Sequence, residues 1–325
     1  MERDLSRKAV FLSTSLGILF LLPIFARNAF YLHVLIFIFL YAGLSGAWNI
    51  VGGYGGQFSL GNAAFFGIGA YCSTLLYLNL GVSPWLGMLV GAILAVIISV
   101  LIFYPCFKLK GVFFALATLA FGEVINQVSI YWRSLTRGSL GVMIPFEPAL
   151  GNFLFETKYP YYYISLIFMV LVMSLSYWIE NSKTGYFLMA IREDEDAAEA
   201  LAINTSRYKL VALLMSASLT SIGGTIYAQY LTFIEPDAVF SLQGVSIQVV
   251  IISVIGGIGT FLGPGLGAFL LIPLGEFLKD MFGRQLPGLN VIIYGILVII
   301  IVIKLPKGLS SFINTWMKKQ GNPDA

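Results

Sequence analysis

Ile191-Arg-Glu-Asp-Glu-Asp-Ala-Ala-Glu-Ala-Leu-Ala-Ile-Asn204 is a polar island between long apolar runs, and it decides what kind of molecule this is. The chain holds 16 Asp and Glu among 325 residues, and five of them (Glu193, Asp194, Glu195, Asp196 and Glu199) fall in this one stretch. The runs on either side are long enough to cross a bilayer, which takes about 20 mostly apolar residues. A chain that gathers its acids in one short internal segment presents that segment to water. The simplest reason to do so is to be held by a soluble partner.

Composition agrees with a membrane location. Hydrophobic residues make up 58% and charged residues 11%, against roughly a quarter charged in a soluble domain. The apolar stretches are continuous rather than alternating, which selects a helical bundle over a β-barrel. A net charge of +3 is too small to point to nucleic acid. One histidine (His33) and two cysteines (Cys72, Cys106) lie in or beside apolar runs and support neither a disulfide framework nor a metal cluster. The basic start, Met1 to Lys8, reads as the flank of a retained first helix rather than a cleaved signal, because many spans follow.

The expected fold is an all-α polytopic membrane protein of about ten transmembrane helices, forming a single transmembrane domain over 1–325. The spans read as 9–26, 31–51, 58–78, 84–107, 111–131, 160–180, 210–232, 244–258, 262–279 and 288–304. Lys and Arg in short loops set orientation. With the N-terminus (Arg3, Arg7, Lys8) in the cytoplasm, Lys108, Lys110, the segment 183–206 and Lys304, Lys307, Lys318 and Lys319 fall on the same side. Both termini are then cytoplasmic. The opposite side receives 79–83, the loop 132–159 with Arg133, Arg137 and Lys158, the segment 233–243, and Arg27 and Arg284. Ser83-Pro84 and Thr205-Ser206 mark helix starts.

Small residues recur every four positions at Ala212, Ser216, Thr220 and Gly224, and again at Gly259, Gly263 and Gly267. Such stripes let helices approach closely in lipid, which reads as interior packing, and the same stripe also suits a helix that lines a pore; the two are compatible. Two glycine clusters, Gly52–Gly61 and Gly256–Gly267, interrupt spans in the two halves of the chain. They read either as tight turns or as unwound backbone beside a transport path.

Polar residues inside spans need a reason. Glu123, Asn126 and Gln127 share a helix face by their i, i+3, i+4 spacing. Gln57, Ser59 and Asn62 form a second group at the first glycine cluster. These six are the candidates for the wall of a translocation path, with interhelical hydrogen bonding, or a Glu123 near enough to the outer interface to be solvated, as the alternatives. Gln248 and Glu276 read as structural, and His33 has no assigned role. No G-x-x-x-x-G-K-[ST], H-E-x-x-H or G-x-S-x-G occurs, so neither a nucleotide site nor catalysis is supported, and no cofactor is expected.

Residues 186–202 lack Gly and Pro and suit one amphipathic helix. Its apolar stripe is Phe187, Leu188, Ile191, Ala198 and Leu201, with Glu195, Asp196 and Glu199 largely opposite and Arg192 paired to Asp196. The residues expected to dock a soluble partner are Arg192, Glu193, Asp194, Glu195, Asp196 and Glu199.

Four blocks carry a resemblance. They are Gly53-Tyr-Gly-Gly-Gln-Phe-Ser-Leu-Gly-Asn-Ala-Ala-Phe-Phe-Gly-Ile-Gly-Ala-Tyr71, Thr118-Leu-Ala-Phe-Gly-Glu123, the segment Thr184 to Asn204, and Gly256-Gly-Ile-Gly-Thr-Phe-Leu-Gly-Pro-Gly-Leu-Gly-Ala268. In order and content the chain resembles the branched-chain amino acid permeases of ATP-binding cassette importers. The resemblance implies an inner-membrane permease subunit for branched-chain or related amino acids. It also implies two ATP-binding cassette ATPase subunits, a second permease subunit and an extracytoplasmic solute-binding protein as partners, with lipid around them. Segment 184–204 resembles the family's coupling helix, between spans six and seven. Ala202 stands where the family usually has Gly, and alanine favours helix by up to ~1 kcal/mol over glycine. Arg137 stands where a small residue is expected. The alternative class is an ion-coupled carrier with Glu123 as the ion site, and the alternative substrates are urea and short amides.

Overall fold

A computed structural model of the chain describes residues 17–23, 28–106, 109–283, 288–305 and 308–311. Arg3, Arg7, Lys8, Arg27, Lys108, Arg284, Lys307, Lys318 and Lys319, and most of the expected span 9–26, lie outside them. The fold is a helical bundle with one small two-stranded ribbon.

A short helix, α1, covers 17–23. Helix α2 (Ala29–Asn49) starts where the Asn28 side chain accepts from the Phe30 N–H at 2.9 Å, and continues into a π-helical turn over Ile50–Tyr54. It is the central column of the bundle: from Ile36 to Val51 every side chain but Phe37 is buried. Helix α3 (Asn62–Leu80) ends at Gly81, whose left-handed conformation (φ 64°) lets its N–H bond back to the Tyr77 carbonyl. Helix α4 (Pro84–Cys106) begins at Pro84, with the Ser83 carbonyl accepting from Leu86 and Gly87. The Ser83 hydroxyl donates instead to Gly151.

Helix α5 (Val112–Tyr131) leads into the loop before α6 (Tyr159–Glu180). That loop is ordered by strand β1 (Val142–Met143), which pairs antiparallel with β2 (Phe233–Ile234), and by Trp85 stacked on Phe153 at 4.1 Å. Two short helices, α7 (Lys183–Glu193) and α8 (Glu195–Ala200), separate α6 from α9 (Thr205–Leu231). A second π-helical stretch, Leu242–Ile247, runs into α10 (Gln248–Gly256), followed by α11 (Gly263–Phe282) and α12 (Leu289–Lys304).

Eight helices among the described residues are long and apolar enough to cross a membrane. Helix α11 has the length, but Glu276, Lys279 and Asp280 crowd its final turns. The expected span 244–258 is longer than its sequence suggests, because the helical turn at Pro236 and the π-helical stretch extend it to Pro236–Gly256.

Glycine sets the closest approaches. A Cβ on Gly69 would lie 2.0 Å from the Ser221 carbonyl oxygen, and one on Gly224 would lie 2.0 Å from that of Phe66. Helices α3 and α9 therefore cross backbone to backbone, and the Thr225 hydroxyl donates to Gly69 O at 3.1 Å. The stripe Ala212, Ser216, Thr220, Gly224 is buried, as the packing reading expects. Gly256 and Gly267 bring α10 and α11 together in the same way. One end of the bundle gathers Lys110, α7, α8 and both glycine loops. The other carries the 132–158 loop, the β-ribbon and the α3–α4 turn.

Candidate functional site

The polar island is two helices rather than one. At Asp194 the backbone turns extended (φ −155°, ψ 110°), and its carboxylate accepts from the Asp196 and Ala197 N–H groups, both at 3.0 Å. Aspartate at this position competes with continued helix by capping a new one. The continuous helix over 186–202 is thus corrected to α7 and α8. The expected apolar stripe survives only in part: Leu188, Ile191 and Ala198 are buried and Phe187 packs against Tyr208, but Leu201 is 77% exposed.

Ala202 lies beyond α8 in the left-handed region (φ 61°), where a residue without Cβ costs least. Its effect is backbone strain in a turn, not the helix propensity expected from sequence. Arg137 is left-handed as well (φ 60°). Helix α9 is capped by Asn204, which accepts from Arg207 N at 3.1 Å. Thr205 instead donates to Glu199 at 2.7 Å.

The charges on this segment divide into two sets. Glu195 turns inward and pairs with Lys209, which is only 4% exposed. Asp196 meets Lys110 at 2.6 Å on the surface; this hydrogen bond holds the Asp196 carboxyl below its ordinary range and the Lys110 ammonium above its own. The expected Arg192–Asp196 pair does not form. Arg192 points back into the bundle and donates to Gly53 O at 2.8 Å. Glu193, Asp194, Asp196 and Glu199 stay exposed, and Arg192 keeps part of its side chain in solvent despite this bond.

Both glycine clusters come to this place. The Asn49 side chain, fully buried, donates to Thr260 O at 3.0 Å and accepts from Gly259 N at 2.9 Å. Glu180 at the end of α6 accepts from the Tyr54 hydroxyl at 3.1 Å and from Phe261 N at 3.2 Å. Neither residue stood out in the sequence. The available signal was a polar side chain adjoining a glycine cluster or closing a span.

Residues 55–61 run as irregular backbone at this end of the bundle, with Gly56 and Phe58 exposed. They are satisfied by their neighbours: Trp48 donates to Ser59 O at 2.7 Å, and Leu60 N and Ala63 N donate to the hydroxyls of Thr118 and Ser246, both at 2.9 Å. Gln57, Ser59 and Asn62 are buried here. A cavity of about 190 Å³ connects Gln57 with Lys110, Arg192, Glu193, Asp194 and Lys209, so one path candidate and several docking candidates share a space.

The α5 candidates divide. Asn126 is buried, whereas Glu123 and Gln127 are exposed and hydrogen-bonded to each other at 2.7 Å. The single shared face expected from their spacing straddles the boundary between interior and surface. Gln57 Oε1, Asn62 Nδ2 and Asn126 Oδ1 are buried without a protein partner, which is uncommon for native polar atoms. His33 and Glu276, which the sequence leaves separate, meet at 3.9 Å, and His33 Nδ1 lies 2.6 Å from the Tyr230 hydroxyl. No group of three or more metal-ligating His, Cys, Asp or Glu occurs among the described residues.

Known proteins supply the context for this arrangement. The LivM permease protein of the high-affinity branched-chain amino acid transport system of Escherichia coli is 28% identical over 299 residues, covering 85% of this chain and 68% of its own. The nucleoside ABC transporter permease protein NupC of Lactococcus lactis is 26% identical over 263 residues, covering 73% and 77%. The autoinducer 2 import system permease protein LsrC of Yersinia pseudotuberculosis is 27% identical over 118 residues, 35% of this chain and 34% of its own. The profile of the branched-chain amino acid transport system permease components matches residues 29–302. The chain belongs to that family, as a multi-pass permease of the cell membrane.

Proposed function

We propose that this chain is the membrane-spanning permease subunit of an ATP-binding cassette importer for branched-chain or related amino acids. Its partners are two ATPase subunits, a second permease of the same family and an extracytoplasmic solute-binding protein. The observation that carries this reading is the family match across 29–302. The chain crosses the membrane ten times with both termini in the cytoplasm, and α7 and α8 face the ATPase.

Docking falls to the exposed side of the helix pair, Glu193, Asp196 and Glu199, with Leu201 as an apolar contact beside them. Asp194, itself exposed, shapes that surface as a cap, and Glu195 supports it from within as partner to Lys209. ATP-driven closure of the ATPase pair moves α7 and α8 and, through them, α6 and α9, switching the path between its two openings.

Gln57, Ser59, Asn62 and Asn126 line this subunit's side of the path. Glu123 and Gln127 lie on the outer face of α5 among exposed Leu116, Val124 and Val128. A carboxylate set against lipid is costly, so this face meets the second permease across the path rather than hydrocarbon.

The test is uptake by the reconstituted complex with its binding protein, using labelled leucine, isoleucine, valine, a nucleoside and urea. ATP-dependent accumulation of the aliphatic amino acids supports the reading. Nucleoside or urea uptake in their place would move the substrate class. Uptake driven by an ion gradient without ATP would replace the importer with a carrier.

A further inference from the structure

The chain itself connects α7 and α8 only to α6 and α9. Anything this segment delivers to α2 and α11 must pass through side chains. One side chain is built for that. Arg192 leaves α7 at the surface, and its stem and guanidinium lie against two glycines that adopt positive φ, Gly56 (65°) and Gly259 (74°), so the side chain is exposed on one flank and held on the other. A Cβ on Gly56 would meet the Arg192 stem at 2.9 Å, and one on Gly259 would meet its guanidinium at 2.5 Å. The guanidinium donates to Gly53 O, in the π-helical turn that ends α2.

Gly53 and Gly259 are themselves in contact. A Cβ on Gly53 would lie 2.8 Å from Gly259 N, the N–H that donates to Asn49. The first glycine loop, the second glycine loop and α7 therefore meet at a single point. Glu180 closes the same junction from α6, through Tyr54 and Phe261. Leu188, one turn before Arg192, packs beside Gly55.

We propose that Arg192 is a positioning residue rather than an ATPase contact: it fastens the coupling segment to both glycine loops, with Asn49 and Glu180 holding the loops to each other. Displacement of α7 reaches α2 and α11 at this junction at the same moment as it reaches α6 and α9 through the chain. The two glycine clusters are then two halves of one joint, and their lack of side chains is the space that Arg192 and Asn49 occupy. The inference rests on the importer reading.

The experiment uses the complete complex in proteoliposomes and measures three quantities: ATPase subunits retained, ATP hydrolysed and substrate accumulated per ATP. Arg192→Gln is expected to retain the ATPase subunits and to hydrolyse ATP within about twofold of wild type. Substrate per ATP falls about tenfold or more, the scale of one charge-assisted hydrogen bond. Arg192→Lys, which keeps a cationic donor, recovers part of that loss. Gly259→Ala, with Arg192 intact, gives the same signature by filling the space that the guanidinium takes. Loss of the ATPase subunits from Arg192→Gln would make Arg192 a docking residue and overturn the proposal, as would an unchanged substrate-to-ATP ratio in both Arg192→Gln and Gly259→Ala. A wild-type complex without ATP-driven uptake would instead overturn the importer reading beneath it, before any variant is compared.

Discussion

At the scale of the residue, the turn between α8 and α9 is where sequence and structure test each other most sharply. Ala202 is held left-handed, a conformation that costs a non-glycine residue roughly 1–2 kcal/mol. Glycine would relieve that cost but add about 0.4–1 kcal/mol of unfolded-chain entropy. Ala202→Gly is therefore expected to raise the unfolding temperature of the purified protein modestly, and Ala202→Val to lower it. Lys209 and Glu195 give a second residue-scale test. Lys209 is buried and Glu195 keeps some contact with solvent. Glu195→Gln leaves the ammonium unpaired and is expected to cost roughly 2–4 kcal/mol, while Glu195→Gln with Lys209→Met costs less than the single change. Thermal unfolding of the two variants checks the order. The acids of this island were legible as a group, but their division was not. Capping by Asp194 is a local bond that the sequence offered alongside a continued helix, whereas burial of Lys209 depends on where α9 and the segment at 109–111 come to rest, and no local pattern records that. Arg192 was misdirected for the same reason: a nearby acid at i+4 competes on paper with a carbonyl 139 residues away that only the fold brings close.

At the scale of the element, helices α2 to α6 and α9 follow from apolar runs of span length and their caps. The π-helical turns at Ile50–Tyr54 and Leu242–Ile247 leave no periodic trace, and so span boundaries near them were drawn short. The glycine clusters were visible, and the structure makes them loops packed on one another. The α3–α9 crossing depends on Gly69 and Gly224 having no side chain. Gly224→Leu is expected to separate these helices and to shift most of the protein from a monodisperse peak to aggregate in size-exclusion chromatography, whereas Gly17→Leu, where an added Cβ meets no atom of the described residues within 4 Å, leaves the peak unchanged. The irregular segment 57–61 depends on hydroxyl acceptors from other helices. Thr118→Val removes the acceptor for Leu60 N at constant shape and is expected to cost about 1–3 kcal/mol, the penalty of an unsatisfied buried donor.

At the scale of the whole molecule, the uncovered apolar faces are what lipid and the proposed partner subunits would cover. Helix α12 buries none of its residues, and the outer face of α5 carries Glu123 and Gln127 among exposed aliphatics. A membrane subunit that works beside others has such faces. Sidedness follows the same logic: Leu201 and Leu140, at opposite ends of the bundle, are both exposed. In a background with Cys72 and Cys106 replaced by Ser, and with the chain produced without its ATPase subunits, Leu201→Cys is expected to react with an impermeant thiol reagent only from the cytoplasmic side, and Leu140→Cys only from outside. The most direct test of the central claim is mass spectrometry of the proteins that co-purify with this chain, extracted gently from its native membrane, with ATP-driven uptake measured on the same preparation. Recovery of an ATP-binding cassette ATPase and a second permease of this family, in a complex that accumulates substrate only with ATP, is the expected result. Recovery of the chain alone, accumulating substrate in ATP-free vesicles, would contradict it.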